Sequence, residues 1–304
     1  MKMLEEKKTR FMDLLKQGEM VFAPCVWDCY TAKIAEMSGF KAVLLAGTPA
    51  AAALTGTPDL GLMSGDELIY LTERVASFSS IPILVDFDEG YGDSPLNTYR
   101  NITRLVNAGA QGFTLDDGMG IRGCTRMGFV KPGEHPYELV SREHFKAKLK
   151  AALEAIKGTD AVLIARTEVR VNEGFEEAIY RMKMAEDMGA HMTMINNVRG
   201  IEEARQVAET CKGWKMYPDI VSHNGESDAD LDELLKLNFN LVTMHFFERA
   251  AFSAMLIHGR ENFKNSNTVF SDTCDTGVTR EEFREIAGMS GSKWLEWEKS
   301  FYED

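Results

Sequence analysis

Residues 83–93 read ILVDFDEGYGD, an apolar run that ends in two carboxylates two positions apart, Asp86 and Asp88, before a glycine-rich turn. In an extended strand residues i and i+2 point to the same side, so both carboxylates leave the sheet together where a loop begins. Hard oxygen donors in such a place suit a divalent cation. Other reactive or polar residues end similar apolar runs: Trp27 and Asp28, Gly47 and Thr48, Asp116 and Asp117, Arg166 with Thr167 and Glu168, Asn196 and Asn197, Asp219, and His245. Gathered in one place, they make a carboxylate-rich site with one arginine. Like charges packed closely raise one another's pKa unless something neutralises them. Mg²⁺, with Mn²⁺ as a substitute, does this while taking one or two carboxylates directly, the other acids acting through water. Arg166 offers a planar fork for a substrate carboxylate or phosphonate, or else an ion pair to a neighbouring acid. The amides of Gly47 and Thr48 can take a further anionic oxygen. Such a set suits a small polyanionic acid.

The segment 118–137, GMGIRGCTRMGFVKPGEHPY, is long, glycine-rich and without apolar periodicity, as lids and binding loops are. Cys124 lies in its middle between Arg122 and Arg126. Two cations lower a thiol pKa, and a lid thiol can move a proton at a reacting carbon; an incidental loop cysteine is the alternative. The five cysteines form no regular framework, and Cys25 and Cys29 lack the companion Cys or His pair that a metal reading needs.

The elements that must position these residues are eight apolar runs rich in β-branched and aromatic residues: VFAPCVW, KAVLLAG, ILVDFD, GFTLDD, AVLIART, HMTMINN, WKMYPDI and FNLVTMHF. Segments of helical periodicity separate them. At the junctions EMSGFKAVLLAG, NAGAQGFTLDD and EDMGAHMTMINN a glycine stands where a left-handed residue closes a helix, and KLNFNLVTMHF is built alike. Eight strand-helix units predict an α/β fold, a closed (β/α)8 barrel with active groups at the carboxyl ends of the strands. A doubly wound open sheet is the alternative, but no GxGxxG fingerprint follows the first strand. The barrel is expected over residues 1–278, with a charged amphipathic helix at 1–18 lying outside it. Residues 279–304 form a tail of two helices whose Trp294, Trp297, Phe301 and Tyr302 need a partner, on the same chain or another subunit.

Composition narrows the function. The chain has 304 residues and a formal charge of −13, which argues against a general nucleic-acid surface. No apolar stretch approaches the roughly 20 residues needed to span a bilayer, and the first ten residues lack the apolar core of a secretory signal, so a cytoplasmic location is expected.

The words GFKAVLLAG, PDLGLMSGDEL, VDFDEGYGD, NAGAQGFTLDD, ARTE followed by EGFEEAIYR, and the tail GMSGSKWLEWEKSF, in this order and spacing, resemble the isocitrate lyase and phosphoenolpyruvate mutase superfamily along nearly the whole chain. The resemblance implies a Mg²⁺-dependent barrel acting on small oxyacids, a homotetramer in most members, with C-terminal helices exchanged between subunits. It implies Asp86 as the direct metal ligand and Asp59, Asp88 and Asp116 as acids holding the metal through water. Gly47 and Thr48 correspond to the oxyacid-binding amides, and Arg166 to the carboxylate-binding arginine. Lyases of the group carry a Lys-Lys/Arg-Cys-Gly-His lid whose cysteine is the general acid; here Arg122-Gly123-Cys124-Thr125-Arg126 keeps the cysteine and loses the Gly-His pair. Glu89 replaces a threonine beside the metal, Asn196 stands where Glu is frequent, Asp219 where Asn is frequent, and His245 where Pro is common. The expected activity is carbon–carbon cleavage of a 2-hydroxy or 2-alkyl di- or tricarboxylate of the 2-methylisocitrate or 2,3-dimethylmalate type, with Asn196 in the substrate pocket and the general base open among Tyr91, Glu89 and metal-bound water. Phosphonate chemistry, oxaloacetate hydrolysis and a silent oxyacid-binding barrel are the alternatives.

Overall fold

All eight apolar runs are strands: β1 (Val21–Val26), β2 (Val43–Leu45), β3 (Ile83–Val85), β4 (Gly112–Leu115), β5 (Val162–Thr167), β6 (Met192–Ile195), β7 (Trp214–Tyr217) and β8 (Phe239–Met244). They close into one parallel barrel in the order β1-β8-β7-β6-β5-β4-β3-β2, sealed where Val21 of β1 pairs with Leu241 of β8. The computed structural model describes residues 9–120, 131, 138–220, 222–223, 226–265, 278–289 and 293–303. The chain divides into two compact units, Met1–Phe247 and Glu248–Asp304. None of the described helices is long and apolar enough to cross a membrane.

Helices of the first unit are α1 (Phe11–Lys16), α2 (Cys29–Met37), α3 (Gly47–Thr55), α4 (Gly65–Phe78), α5 (Pro95–Asn107), α6 (Arg142–Ala155), α7 (Arg170–Glu173), α8 (Phe175–Asp187), α9 (Gly200–Thr210) and α10 (Leu231–Lys236). Their starts follow side-chain chemistry. Ser64 and Glu67 form a capping box on α4, and Ser94 and Ser141 cap α5 and α6 through the amides of Asn97 and His144. The predicted left-handed closures are present at Gly39, Gly109 and Gly189, and Asn238 fills the fourth with φ 63°.

Period-2 alternation explains why a barrel of this sequence has a dry floor and a polar mouth. The inward series Val162, Ile164, Arg166 on β5, Met192, Met194, Asn196 on β6 and Leu241, Thr243, His245 on β8 each begin apolar and turn polar at the carboxyl end. Leu84 on β3 and Asp86 just past its end follow the same pattern, and Asp88, in the turn beyond with φ 44°, lines the same cavity.

Two expectations need correction. The amino-terminal helix is not outside the barrel: α1 covers only Phe11–Lys16, and Phe11, Leu14 and Leu15 are buried in one cluster with Val21, Leu84, Ile164 and Leu241. Phe11 donates its amide to Gln111 Oε1 at 2.9 Å, at the start of β4, so α1 plugs the amino-terminal end; residues 1–8 lie outside the described residues. Three apolar side chains on a short helix are enough to close a barrel floor, a contact that local periodicity cannot show. Asp28 is not a pocket acid, because its carboxylate accepts from the Thr31 amide at 2.7 Å as the N-cap of α2. Gly47 and Thr48, which end the second apolar run, are the first residues of α3, an alanine-rich helix with Pro49 in its tolerant first turn.

The second unit holds α11 from Glu248 onward (Phe246–Asn265 in full), α12 (Arg280–Ile286) and α13 (Lys293–Ser300). Trp294 and Trp297 meet edge to face at 6.1 Å, and both are exposed, as are Leu295, Phe301 and Tyr302.

Candidate active site

At the carboxyl end of the barrel lies a cavity of about 300 Å³ whose lining includes Thr48, Asp59, Asp86, Asp88, Asp116, Arg166 and Asn196. Every described residue assigned by sequence to metal or substrate is therefore at this mouth, Gly47 included, since a Cβ placed on it would sit 3.5 Å from Asp59 Oδ2 and 3.6 Å from Asp88 Oδ2. Cys124 lies outside the described residues, as do 121–130 and 132–137 of the segment expected to form the lid.

Asp86 is held through Oδ1. Its Oδ1 accepts from Thr114 Oγ1 at 2.8 Å and from Arg166 Nη1 at 2.9 Å, and its amide continues the ladder to Leu45 O. Asp59 accepts from the Thr48 hydroxyl at 2.9 Å, which ties the loop before α4 to the start of α3. Asp116 accepts from the Gly118 amide at 2.8 Å. Its own amide donates to Asp88 O at the same distance, locking the two acids' backbones together.

Asp88 and Tyr91 adopt φ of 44° and 53°, and Gly90 between them 87°. Left-handed backbone at two non-glycine residues is uncommon and costs energy. The amide of Asn101 on α5 offsets this by donating to Gly90 O and Tyr91 O at 3.1 and 3.0 Å, and Tyr91 lies directly over Gly65, where a Cβ would come within 2.8 Å of its own. Neither Asn101 nor Gly65 is picked out by the sequence, because their role is visible only once α4 and α5 flank the turn.

Arg166 reaches the cavity with its fork engaged. Besides Asp86 it contacts Glu168 Oε1 at 2.5 Å and approaches Asp116 Oδ2 at 4.0 Å. Glu168 also accepts from Asn196 Nδ2 at 2.7 Å. Burial raises the Glu168 carboxyl above the ordinary carboxylate range against the pull of the Arg166 guanidinium, and Asp116 raises it further.

Behind this wall, on the outward face, a second network stiffens β4 and β5. Asp117, fully buried, accepts from Thr167 Oγ1 at 2.6 Å, from the Glu168 amide at 2.9 Å and from Arg181 Nη1 at 3.0 Å. Burial pushes Asp117 up to about 6, against the donors of Thr167 and Glu168, with Asp116 adding to the rise. Arg181 was missed by sequence reading because it sits in the middle of α8. Breaking a buried pair strands a charge, so Arg181→Leu is expected to lower stability by about 3–5 kcal/mol, measured by urea unfolding; a change within 1 kcal/mol would show that Asp117 needs no counter-charge.

The donor set passes a chemical test for a hard cation. The lining carries eight carboxylates, Asp59, Asp86, Asp88, Glu89, Asp116, Glu138, Glu168 and Asp219, against the two guanidinium groups of Arg166 and Arg199. Among the described residues no three His, Cys, Asp or Glu side chains converge as direct ligands. An ion that keeps several waters suits this arrangement better than one needing a full protein cage.

The family model described as phosphoenolpyruvate phosphomutase matches residues 11–261. The chain is 30% identical over 297 residues to the petal death protein of Dianthus caryophyllus, covering 97% of this chain and 89% of that one. It is 27% identical over 287 residues to 2,3-dimethylmalate lyase of Eubacterium barkeri, covering 94% and 96%. The solved structure of phosphonopyruvate hydrolase in complex with oxalate and Mg²⁺ superposes with a TM-score of 0.75 at 21% identity, over 94% of this chain and 96% of that one.

Proposed function

The chain belongs to the phosphoenolpyruvate phosphomutase family of the isocitrate lyase superfamily, and from that premise we propose that it is a Mg²⁺-dependent lyase cleaving a carbon–carbon bond in a small 2-hydroxy di- or tricarboxylate of the 2,3-dimethylmalate or 2-methylisocitrate type. The observation that carries the reading is the carboxylate-lined mouth, in which one arginine fork and the start of α3 stand beside Asp86. A likeness to 2,3-dimethylmalate lyase over nearly both full lengths supports the substrate class.

Asp86 would hold the ion directly, and Asp59, Asp88 and Asp116 would hold its waters. When bound, Mg²⁺ supplies Lewis-acid polarisation of the substrate oxygens and neutralises the crowded acids. The first amides of α3, at Gly47 and Thr48, orient the substrate carboxylate nearest Asp86. Arg166 turns its fork from Asp86 to a substrate carboxylate while Glu168 and Asn196 keep the guanidinium in place. Glu89 or Tyr91 takes the hydroxyl proton, the carbon–carbon bond breaks, the carbinol carbon becomes the carbonyl of a 2-oxoacid, and the departing carbon receives the proton of Cys124. The exposed aromatic residues of α13 and the turn after it support a homo-oligomer assembled through the carboxyl-terminal helices.

A screen of C4 to C7 hydroxy- and oxo-dicarboxylates with Mg²⁺ and product identification tests the reading. Release of a 2-oxoacid from a 2-alkylmalate is the expected result. Conversion of phosphonopyruvate, followed by phosphorus NMR, with no cleavage of alkylmalates would overturn it in favour of phosphonate chemistry, and oxalate plus acetate from oxaloacetate would assign hydrolysis.

A further inference from the structure

We propose that Lys148 acts on the metal site through the acids that surround it, as a positioning residue whose buried ammonium lowers the affinity of the mouth for Mg²⁺. This role rests on the Mg²⁺ reading above and deepens it.

Four lysine and arginine side chains are buried among the described residues: Arg166, Arg181, Lys215 and Lys148. Arg166 serves Asp86 and Glu168, and Arg181 serves Asp117 and Glu177. Lys215 Nζ donates to Cys211 O and Gly213 O at 3.0 and 2.7 Å. Lys148 stands in the core stripe of α6 with Phe145, Leu149 and Ala152, where helical spacing calls for an apolar residue. Lysine is almost never fully buried unless a counter-charge receives it. An ammonium on a side chain that is 0% exposed therefore points to the acids around it.

The path of α6 identifies those acids. Just before the helix, the Val140 amide donates to Asp117 O at 2.9 Å, which ties its start to the end of β4. In its first turn His144 Nε2 lies 2.8 Å from Asp93 O, at the close of the turn that begins at Asp86. Lys148 follows His144 by four residues, one helical turn along on the same face. The helix also packs on α5, which Ser94 caps directly after that turn. The charges acting on Lys148 are, strongest first, those of Asp116, Glu89, Asp93 and Asp117. Burial pulls its ammonium below the usual lysine range, and all four acids oppose that pull. Asp116 and Glu89 line the cavity and Lys148 does not, so its charge acts on them from behind the wall. The same positive charge works against a divalent cation arriving in the mouth.

Calorimetric titration of the whole protein with Mg²⁺ alone, paired with thermal unfolding in its absence and presence, tests this role without turnover. Lys148→Met is expected to bind Mg²⁺ about tenfold or more tightly, the order of one unit charge acting on a divalent ion through a weakly screened wall. Its unfolding temperature then rises more on addition of Mg²⁺ than that of the parent. Lys148→Gln, neutral and polar, gives the same tightening, and Lys148→Arg keeps the parental affinity. Lys150→Met makes the same change in net charge at an exposed position of α6 and leaves Mg²⁺ binding as in the parent. A purely structural lysine would show the opposite sign, since a loosened turn binds the ion less well. Unchanged or weaker Mg²⁺ binding by the two neutral variants, failure of both to fold even with Mg²⁺, or equal tightening by Lys150→Met overturns the role of Lys148 while leaving the metal site intact. Absence of Mg²⁺ binding by the unsubstituted protein overturns the metal reading and this inference together.

Discussion

Asp86→Asn is expected to remove turnover by roughly 10³-fold or more, the scale of losing several kcal/mol of metal-derived charge stabilisation. The substitution is nearly isosteric, and its carbonyl oxygen can keep the Thr114 hydroxyl bond now made at 2.8 Å. What disappears is the charge that would hold the ion and that now pairs with Arg166. Removing one acid from a lining of eight carboxylates also relieves repulsion, so the variant should unfold no more easily than its parent. The decisive measurement is a Mg²⁺ titration of activity alongside thermal unfolding: the parent saturates and loses activity on chelation, whereas Asp86→Asn gains nothing from added metal. Retained turnover in the variant would take Asp86 out of the metal site.

Cys124→Ser is expected to lower kcat by roughly 10²-fold or more with a small change in KM, the pattern of a group that acts on a proton at the reacting carbon rather than on binding. A serine hydroxyl is close in size and far weaker as an acid than a thiol flanked by Arg122 and Arg126. Steady-state kinetics on the substrate found in the screen provides the check. An unchanged kcat would assign the proton transfer elsewhere and strengthen the phosphonate alternative.

The strand order and the acids at the mouth were legible because both obey local rules. Apolar runs closed by glycine announce β strands followed by turns, and a two-residue period carries Leu84 and Asp86 onto one side. Left-handed closures were legible at Gly39, Gly109 and Gly189 for the same reason. Features that depend on partners distant in sequence were not. The plug formed by Phe11, Leu14 and Leu15 needs the whole barrel floor to be recognised, and Arg181 needs Asp117, 64 residues away. Asp28 misled because an N-cap and a pocket acid share one residue type. Arg166 allowed either a substrate fork or an ion pair to a neighbouring acid, and which acids engage it, Asp86 and Glu168, shows only once the strands are side by side. Cys25 and Cys29 have no companion Cys or His pair in the sequence, and in the fold Cys25 faces the barrel interior while Cys29 opens α2, so the two serve different surroundings.

The contact between Cys25 and His245 joins residues 220 positions apart, across the seam where the first strand meets the eighth. During synthesis the acids at the ends of β3 and β4 are made early, yet the barrel mouth does not close until the last strand is delivered. A ribosome-bound chain lacking β8 therefore has open sheet edges on β1 and β7. The ring shuts in one step, when β8 pairs with β1 and β7, and proteolytic or genetic loss of the final strand would reopen it.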